Sequence, residues 1–185
     1  MSVFGNGLDA AVQKAFTRPA PKSAPAQMRY LVKQLKSTKA VAQMLRISQR
    51  TVERYVKDQI KKPRPHLAAR LENEVKKRWQ PQIRAKARQK AATTDGIVID
   101  TRARIGYTAP IGTTDEDRLR HLTVALPPRY AARLFTAQEQ GASDQQLQQI
   151  AAEALKEVYF QDNGRRAGQL EEVRFTDIEH LEFDL

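Results

Sequence analysis

The chain has 185 residues, enough for one large or two small domains with a buried core, and a formal charge of +11 from 32 Lys/Arg against 21 Asp/Glu. It contains no cysteine, which excludes disulfides, thiolate zinc sites and thiol catalysis. Its three histidines, His66, His121 and His180, share no metal-ligand spacing. No apolar run approaches the roughly 20 residues that span a bilayer, and Asp9 and Gln13 interrupt the first apolar residues, so the expectation is a cytoplasmic or DNA-associated protein with neither leader nor membrane partner.

In chain order, Leu8, Ala11, Val12, Ala15 and Phe16 share one face of a short amphipathic helix over 8–16, and Arg18-Pro19-Ala20-Pro21-Lys22-Ser23-Ala24-Pro25 reads as an extended linker. A second amphipathic helix spans Gln27–Leu35. Residues 38–56 then read as two short helices joined by a tight turn. Thr38 is the expected N-cap of the first and Ser48 of the second. Val41, Ala42 and Leu45 face inward, Ile47 fills the turn, and Val52, Tyr55 and Val56 line the second helix. Gln49, Arg50, Thr51, Glu53, Arg54 and Lys57 stay on or beside the outer face. Arg50, Arg54 and Lys57 form an i, i+4, i+7 row suited to phosphates and guanine edges, with Gln49 placed to read adenine. This is a helix-turn-helix pattern; its departure is Arg46, where many such motifs carry glycine. A hairpin in an ordinary bundle with a solvated basic face gives the same spacing.

After the break at Lys61-Lys62-Pro63-Arg64-Pro65, one long helix is expected from about His66 to Gln89, kinked at Pro81, with Leu67, Leu71, Val75, Trp79 and Ile83 as its apolar stripe. Residues 61–90 hold 11 Lys/Arg against Glu72 and Glu74 only. Lys61, Lys62, Arg64, Lys76, Lys77, Arg78, Arg84, Lys86 and Arg88 are therefore candidate phosphate contacts, against the plainer reading of a solvated structural helix.

The period changes after Ala91–Gly96. Strands are expected over 97–107 and 118–126, with an exposed, mobile hairpin loop between them from Thr108 to Asp117. A helix from Pro127-Pro128 to about Gln140 ends at Gly141, and Ser143 caps another to about Phe160. A terminal strand bends near Ile178. The strand Leu122–Leu126 followed by two helices is similar to a ribbon-helix-helix unit, a pattern that would permit a homodimer. The predicted fold is α+β: an N-terminal helical helix-turn-helix domain with a long basic helix, then a smaller α+β domain with a β-hairpin and two helices. The expected divisions are 1–25 (helix and Pro/Ala linker), 26–92 (DNA binding) and 93–185. Charge divides likewise, with 22 Lys/Arg against 7 Asp/Glu in residues 1–100 and 10 against 14 in residues 101–185. There is no phosphate loop, nucleophile elbow or metal-spaced cluster, so no enzyme is expected.

The chain resembles the terminal proteins of linear actinobacterial chromosomes and plasmids. The likeness runs through Leu8–Pro19, Met28–Lys57, Lys61–Pro65, Trp79-Gln80-Pro81, Thr101–Tyr107, Leu119–Leu126, Val158–Asp162 and Phe183-Asp184-Leu185. It implies a protein, not itself an enzyme, that caps telomeric DNA ends covalently and primes end-patching, with the Thr114 hydroxyl accepting the first nucleotide and Thr113 as the near alternative. It also implies a DNA polymerase that brings its own divalent metal, no intrinsic cofactor, a telomere-binding partner protein on the folded single-stranded overhang, and residence at DNA ends in the nucleoid. By itself Thr114 reads as a turn or N-cap residue, its hydroxyl bonded to the Glu116 or Asp117 N–H; only the resemblance reverses that reading. A helix-turn-helix transcription regulator with a C-terminal dimerisation or ligand domain is the competing class.

Overall fold

The computed structural model describes residues 2–108, 114–161 and 172–185, with side chains for all of these except Thr114, Asp115 and Glu116. Among the described residues are eight α-helices and a three-stranded antiparallel sheet, an α+β arrangement in which helices precede strands. The chain forms two units: Thr17–Pro81, and Met1–Phe16 together with Gln82–Leu185. The boundaries expected at 25 and 92 are therefore displaced, because the first helix and the stretch after Pro81 both supply core to the sheet-bearing unit.

The Thr17–Pro81 unit contains α2 (Ala24–Leu35), α3 (Thr38–Leu45), α4 (Gln49–Val56) and α5 (Pro65–Arg78). Met28 and Leu31 from α2, Val41, Ala42 and Leu45 from α3, Val52 and Tyr55 from α4, and Leu67, Leu71 and Val75 from α5 make its core. Ser37, rather than Thr38, caps α3: its hydroxyl accepts from Ala40 N–H at 3.2 Å. Ser48 caps α4 as its position suggests, accepting from Thr51 N–H at 3.1 Å. Between them Arg46 takes the left-handed conformation, φ 53° and ψ 50°, which explains why a glycine suits this turn. Ile47 then turns toward the core, its N–H donating to the Ala42 carbonyl at 3.0 Å.

The single long helix expected over 66–89 is two helices. Trp79 is extended (ψ 128°) and Gln80 has φ 45°, because Pro81 disfavours helical backbone before it and supplies no N–H to continue the ladder. Gln80 fastens the ends of the unit to each other: its Oε1 accepts from Thr17 N–H at 3.0 Å and its Nε2 donates to the Thr17 hydroxyl at 3.2 Å. Beside it Trp79 Nε1–H donates to the Arg18 carbonyl at 3.0 Å.

The other unit is built on the sheet, order β2-β1-β3, with β1 Ile97–Thr108, β2 Thr114–Leu126 and β3 Glu172–Asp184. Alternation places Ile97, Ile99, Ala103 and Ile105 of β1 on the core face with Leu122, Val124 and Leu126 of β2 and Val173, Phe175 and Phe183 of β3. Helices α1 (Val3–Lys14), α7 (Pro128–Glu139) and α8 (Asp144–Leu155) fill that core through Phe4, Leu8, Leu134, Leu147 and Leu155. Helix α6 (Pro81–Lys90) runs through a wider turn, Ala91–Asp95, into β1. Gly96 makes the junction at φ 76°, where a Cβ would lie 2.2 Å from the Leu126 carbonyl oxygen, so glycine is required there. Two irregularities in β3 pairing, one between His180 and Ile178 and one between Asp177 and Phe175, fall where the sequence suggests a bend.

Helix α1 begins at Val3, five residues before the apolar pattern suggests, in spite of Gly5, Asn6 and Gly7. The Asp144 carboxylate, at the start of α8, holds it there. It accepts from the backbone N–H groups of Val3 (2.8 Å), Phe4 (2.9 Å) and Gly5 (3.1 Å) and from the Ser2 hydroxyl (2.8 Å), meeting the positive end of a helix whose own N-cap, Ser2, makes no side-chain bond to the helix backbone. Burial pushes this carboxyl upward, but the bonds from Ser2, Gly5, Val3 and Phe4 outweigh it and hold Asp144 below the usual carboxylate value of 3.8. A depressed folded pKa gives stabilisation that is complete above the unfolded value and is lost as pH falls through the folded one. Asp144→Asn is therefore expected to cost about 1 kcal/mol at neutral pH, the scale of a half-exposed cap carboxylate, and the difference should close as pH drops below about 4 in chemical denaturation. A difference independent of pH would contradict this role.

Candidate nucleic-acid interface and attachment turn

The two units differ sharply in charge. Residues 17–81 carry 17 Lys/Arg against 4 Asp/Glu, a net of +13, and the remaining residues carry 15 against 17, a net of −2. Cations of the sheet-bearing unit are largely matched: Lys14 with Glu182 at 2.6 Å, Lys90 with Asp95 at 2.6 Å, Arg102 with Glu179 at 2.9 Å, and Arg133 with Glu153 at 2.5 Å. In the helical unit the matched cations are Arg29 with Asp58 at 2.7 Å and those at the end of α5, where Lys76 meets Glu72 at 2.7 Å and both Lys77 and Arg78 meet Glu74.

Helix α4 carries the densest unmatched row. Its inner face is fixed by Val52 and Tyr55, which leaves Arg50, Arg54 and Lys57 exposed at i, i+4 and i+7 with no ion pair among the described residues. Exposed cations held on one face of a short, capped helix are arranged to meet phosphates or the guanine edge. Lys61, Lys62 and Arg64 follow, also exposed and without an ion pair among the described residues. Arg46, legible in the sequence only as a departure from glycine, stands exposed at the turn before α4 and adds a cation beside the helical row.

Two polar candidates are engaged inside the protein. Gln49 Nε2 donates to the Thr38 hydroxyl and to Glu53 Oε1, both at 3.0 Å, which leaves only Oε1 for a ligand and not the donor–acceptor pair that reads adenine. The Thr51 hydroxyl is tied to the Ser48 hydroxyl at 2.8 Å. These groups brace the start of α4 and restrict how it turns.

The basic residues beyond Pro81 separate from this set. Arg84 and Arg88, expected on phosphates, have side chains only 15% and 16% exposed. Arg84 pairs with Asp9 at 3.0 Å and lies over the Phe16 ring; Arg88 reaches Glu139 at 2.7 Å and Gln138 at 3.0 Å and lies over the Phe135 ring. They join α1, α6 and α7, and the polar end of α6 that reads as a phosphate track is instead an internal clasp. Lys86 on α6 is exposed.

The second candidate is the β1–β2 turn. The sequence predicts loop from Thr108 to Asp117, but strand pairing continues past Arg118, with Tyr107 opposite Asp115 and Thr108 opposite Thr114. The polarity of 114–117 does not prevent this, since ladder bonds use backbone; a bulge where Glu116 and Asp117 face Gly106 absorbs the extra residue. Asp117 Oδ2 accepts from the Thr176 hydroxyl of β3 at 2.5 Å. Thr114 thus has its backbone at the first position of β2, at the end of the hairpin. Its side chain, Thr113 and the rest of 109–113 lie outside the described residues. Among the described residues no cluster of His, Asp or Glu is placed to hold a metal, and no helix is long and apolar enough to cross a membrane.

Comparison with family models, with curated proteins and with solved structures finds no match for the chain. Function therefore rests on the residues themselves. Arg50→Ala and Arg54→Ala are expected each to lower duplex affinity by about 1–3 kcal/mol if they reach base edges and to leave thermal stability unchanged. Arg88→Ala should do the reverse, costing about 2 kcal/mol of stability through its lost carboxylate and ring contacts with DNA affinity intact. Fluorescence anisotropy and thermal melts on the same preparations separate the two classes. Loss of DNA affinity by Arg88→Ala in a protein that stays folded would contradict the assignment.

Proposed function

We propose that this chain is a terminal protein of linear DNA: it binds telomeric DNA through α3, the turn and α4 acting as a helix-turn-helix, and primes end-patching from the Thr114 hydroxyl. The observation that carries the reading is the joining, in one chain, of a +13 helical unit bearing the Arg50, Arg54, Lys57 row to a nearly neutral unit whose hairpin presents Thr114 at a strand end. The resemblance to terminal proteins along the sequence supplies the choice of threonine.

The step is a phosphoryl transfer. The Thr114 Oγ1 attacks the α-phosphorus of an incoming deoxynucleoside triphosphate. A Thr–O–P ester bond forms, the bond from the α-phosphorus to the bridging oxygen breaks, and pyrophosphate leaves with that electron pair. The hydroxyl proton passes to the polymerase site or to water. Metal ions of the polymerase lower the hydroxyl pKa and neutralise the phosphates, so the chain needs no base of its own. Its contribution is position: Thr114 opens β2 at the end of the sheet, opposite Thr108, which β3 also pairs through Glu172, so its hydroxyl is offered from a sheet end to a cleft built for a primer terminus, and Asp115, Glu116 and Asp117 beside it in sequence carry charge in the sense of a primer strand. A telomere-binding partner protein and the DNA polymerase are the partners of this reading, with DNA ends in the nucleoid as its location.

A transcription regulator would use the same α3–α4 pair without any covalent step. Incubation with polymerase, partner protein, template overhang and labelled nucleotide distinguishes the two. Label resistant to denaturation is expected on the wild type and on Thr113→Ala, with none on Thr114→Ala, while all three bind DNA alike. Label mapping to Tyr107, Ser143 or another hydroxyl outside 113–114 would overturn the assignment, and absence of label from the wild type would favour the regulator.

A further inference from the structure

The segment between α4 and α5 is a basic element of a different kind. Residues 60–64 belong to no helix or strand, yet both ends are fixed. At the start, Asp58 turns the chain at φ 58°, with its carboxylate held by Arg29 at 2.7 Å and Gln59 N–H bonded to the Arg54 carbonyl at 2.9 Å. Ile60 then packs against the core of the helical unit, and Leu67 is buried on the far side. Pro63 and Pro65 restrict Lys62 and Arg64 to extended backbone, and Arg64 has φ −64° and ψ 151°, the polyproline conformation. The result is a short stiff strap, anchored at both ends, whose Lys61, Lys62 and Arg64 are exposed. The sequence offers no Asp or Glu between Asp58 and Glu72 to neutralise it.

We infer that this strap lies in the minor groove of an A·T-rich segment flanking the DNA contacted by α4; the inference rests on the proposed DNA binding by α4 and names a further ligand feature for the same unit. Three physical points lead there. A helix fills the major groove, about 12 Å wide, whereas an extended chain fits the minor groove, about 6 Å wide. Polyproline backbone advances about 3.1 Å per residue with three residues per turn, so Lys61 and Arg64 share one face about 9 Å apart, close to the length of three base pairs at roughly 3.4 Å each. The narrow groove of A·T tracts concentrates negative potential and draws Lys and Arg into it. A strap leaving the end of a helix seated in the major groove crosses the phosphate ridge beside it. With its order set in advance by the prolines and its two anchors, it loses little conformational freedom on binding.

Selection of bound duplexes from a random-sequence pool, using the full-length chain, tests the inference. The wild type is expected to recover a core motif flanked by an A·T run of about four pairs, the span of the strap at the rise above. Lys61→Ala/Lys62→Ala/Arg64→Ala should recover the same core with no preference in the flank, and should lose roughly tenfold in affinity on the wild-type consensus. Netropsin, which occupies A·T minor grooves, should weaken the wild type to the level of that variant and leave the variant unaffected. Arg50→Ala/Arg54→Ala should instead lose the core motif. Retention of the A·T run by the triple variant, insensitivity of the wild type to netropsin, or an affinity loss equal on all flanks would overturn the inference and make the strap a phosphate contact. Recovery of no motif and no duplex binding by the wild type would overturn DNA binding by α4 itself.

Discussion

The organisation of this molecule depends on where the first helix buries its apolar face. Phe4 meets Phe175 and Phe183 at ring-centroid distances of 5.8 and 6.2 Å, and Leu8, Ala11 and Val12 are fully enclosed with residues from the sheet and α8. The sheet-bearing core is therefore assembled from both ends of the chain, with Asp144 fixing the start of α1 from the first turn of α8. Everything between Phe16 and Gln82 is inserted into that fold. The insertion is closed on itself where it begins and ends, by Gln80 on Thr17 and Trp79 on Arg18, so its four helices complete a separate core.

That arrangement allows the two units to hold different electrostatic characters. In the sheet-bearing unit carboxylates lie beside most of the described cations, and even guanidiniums as basic as Arg84 and Arg88 are drawn inward by Asp9, Glu139 and two aromatic faces. In the inserted unit only four carboxylates face 17 cations, and three of those carboxylates are engaged on α5 and Asp58. Unmatched charge at this density opposes compact packing through self-repulsion and is offset when a polyanion binds.

Much of this was legible in the sequence, and its failures have definite causes. The alternation of Ile97 to Tyr107, the caps Ser48 and Ser143, and the glycine stop at 141 report local rules that tertiary structure did not override. The helical pattern of Leu67, Leu71 and Val75 was correct, but its continuation to Trp79 and Ile83 concealed a break set by Pro81 and, with it, the unit boundary. Helix α1 started earlier than its pattern because its stabilising carboxylate comes from residue 144, a contact that no local window contains. Arg84 and Arg88 looked like phosphate ligands because charge is visible in sequence while its partners, Asp9 and Glu139, are remote. The strand at 114–117 is not legible in the sequence, since its pairing is made by backbone, against a composition that favours a loop. The proposed choice of Thr114 rests on the sequence alone.

Polyanion binding is proposed to belong to the inserted unit. The most direct measurement is the affinity of residues 17–81, expressed as a separate polypeptide, for duplex DNA over a salt series beside the full chain and a chain in which 17–81 is replaced by a short Gly/Ser linker. The 17–81 fragment is expected to fold and to bind with nearly the affinity and salt slope of the full chain, its affinity falling steeply as salt rises, and the linker-closed remainder to fold but bind weakly. Equal affinity in the remainder, or a folded 17–81 fragment that does not bind, would contradict it.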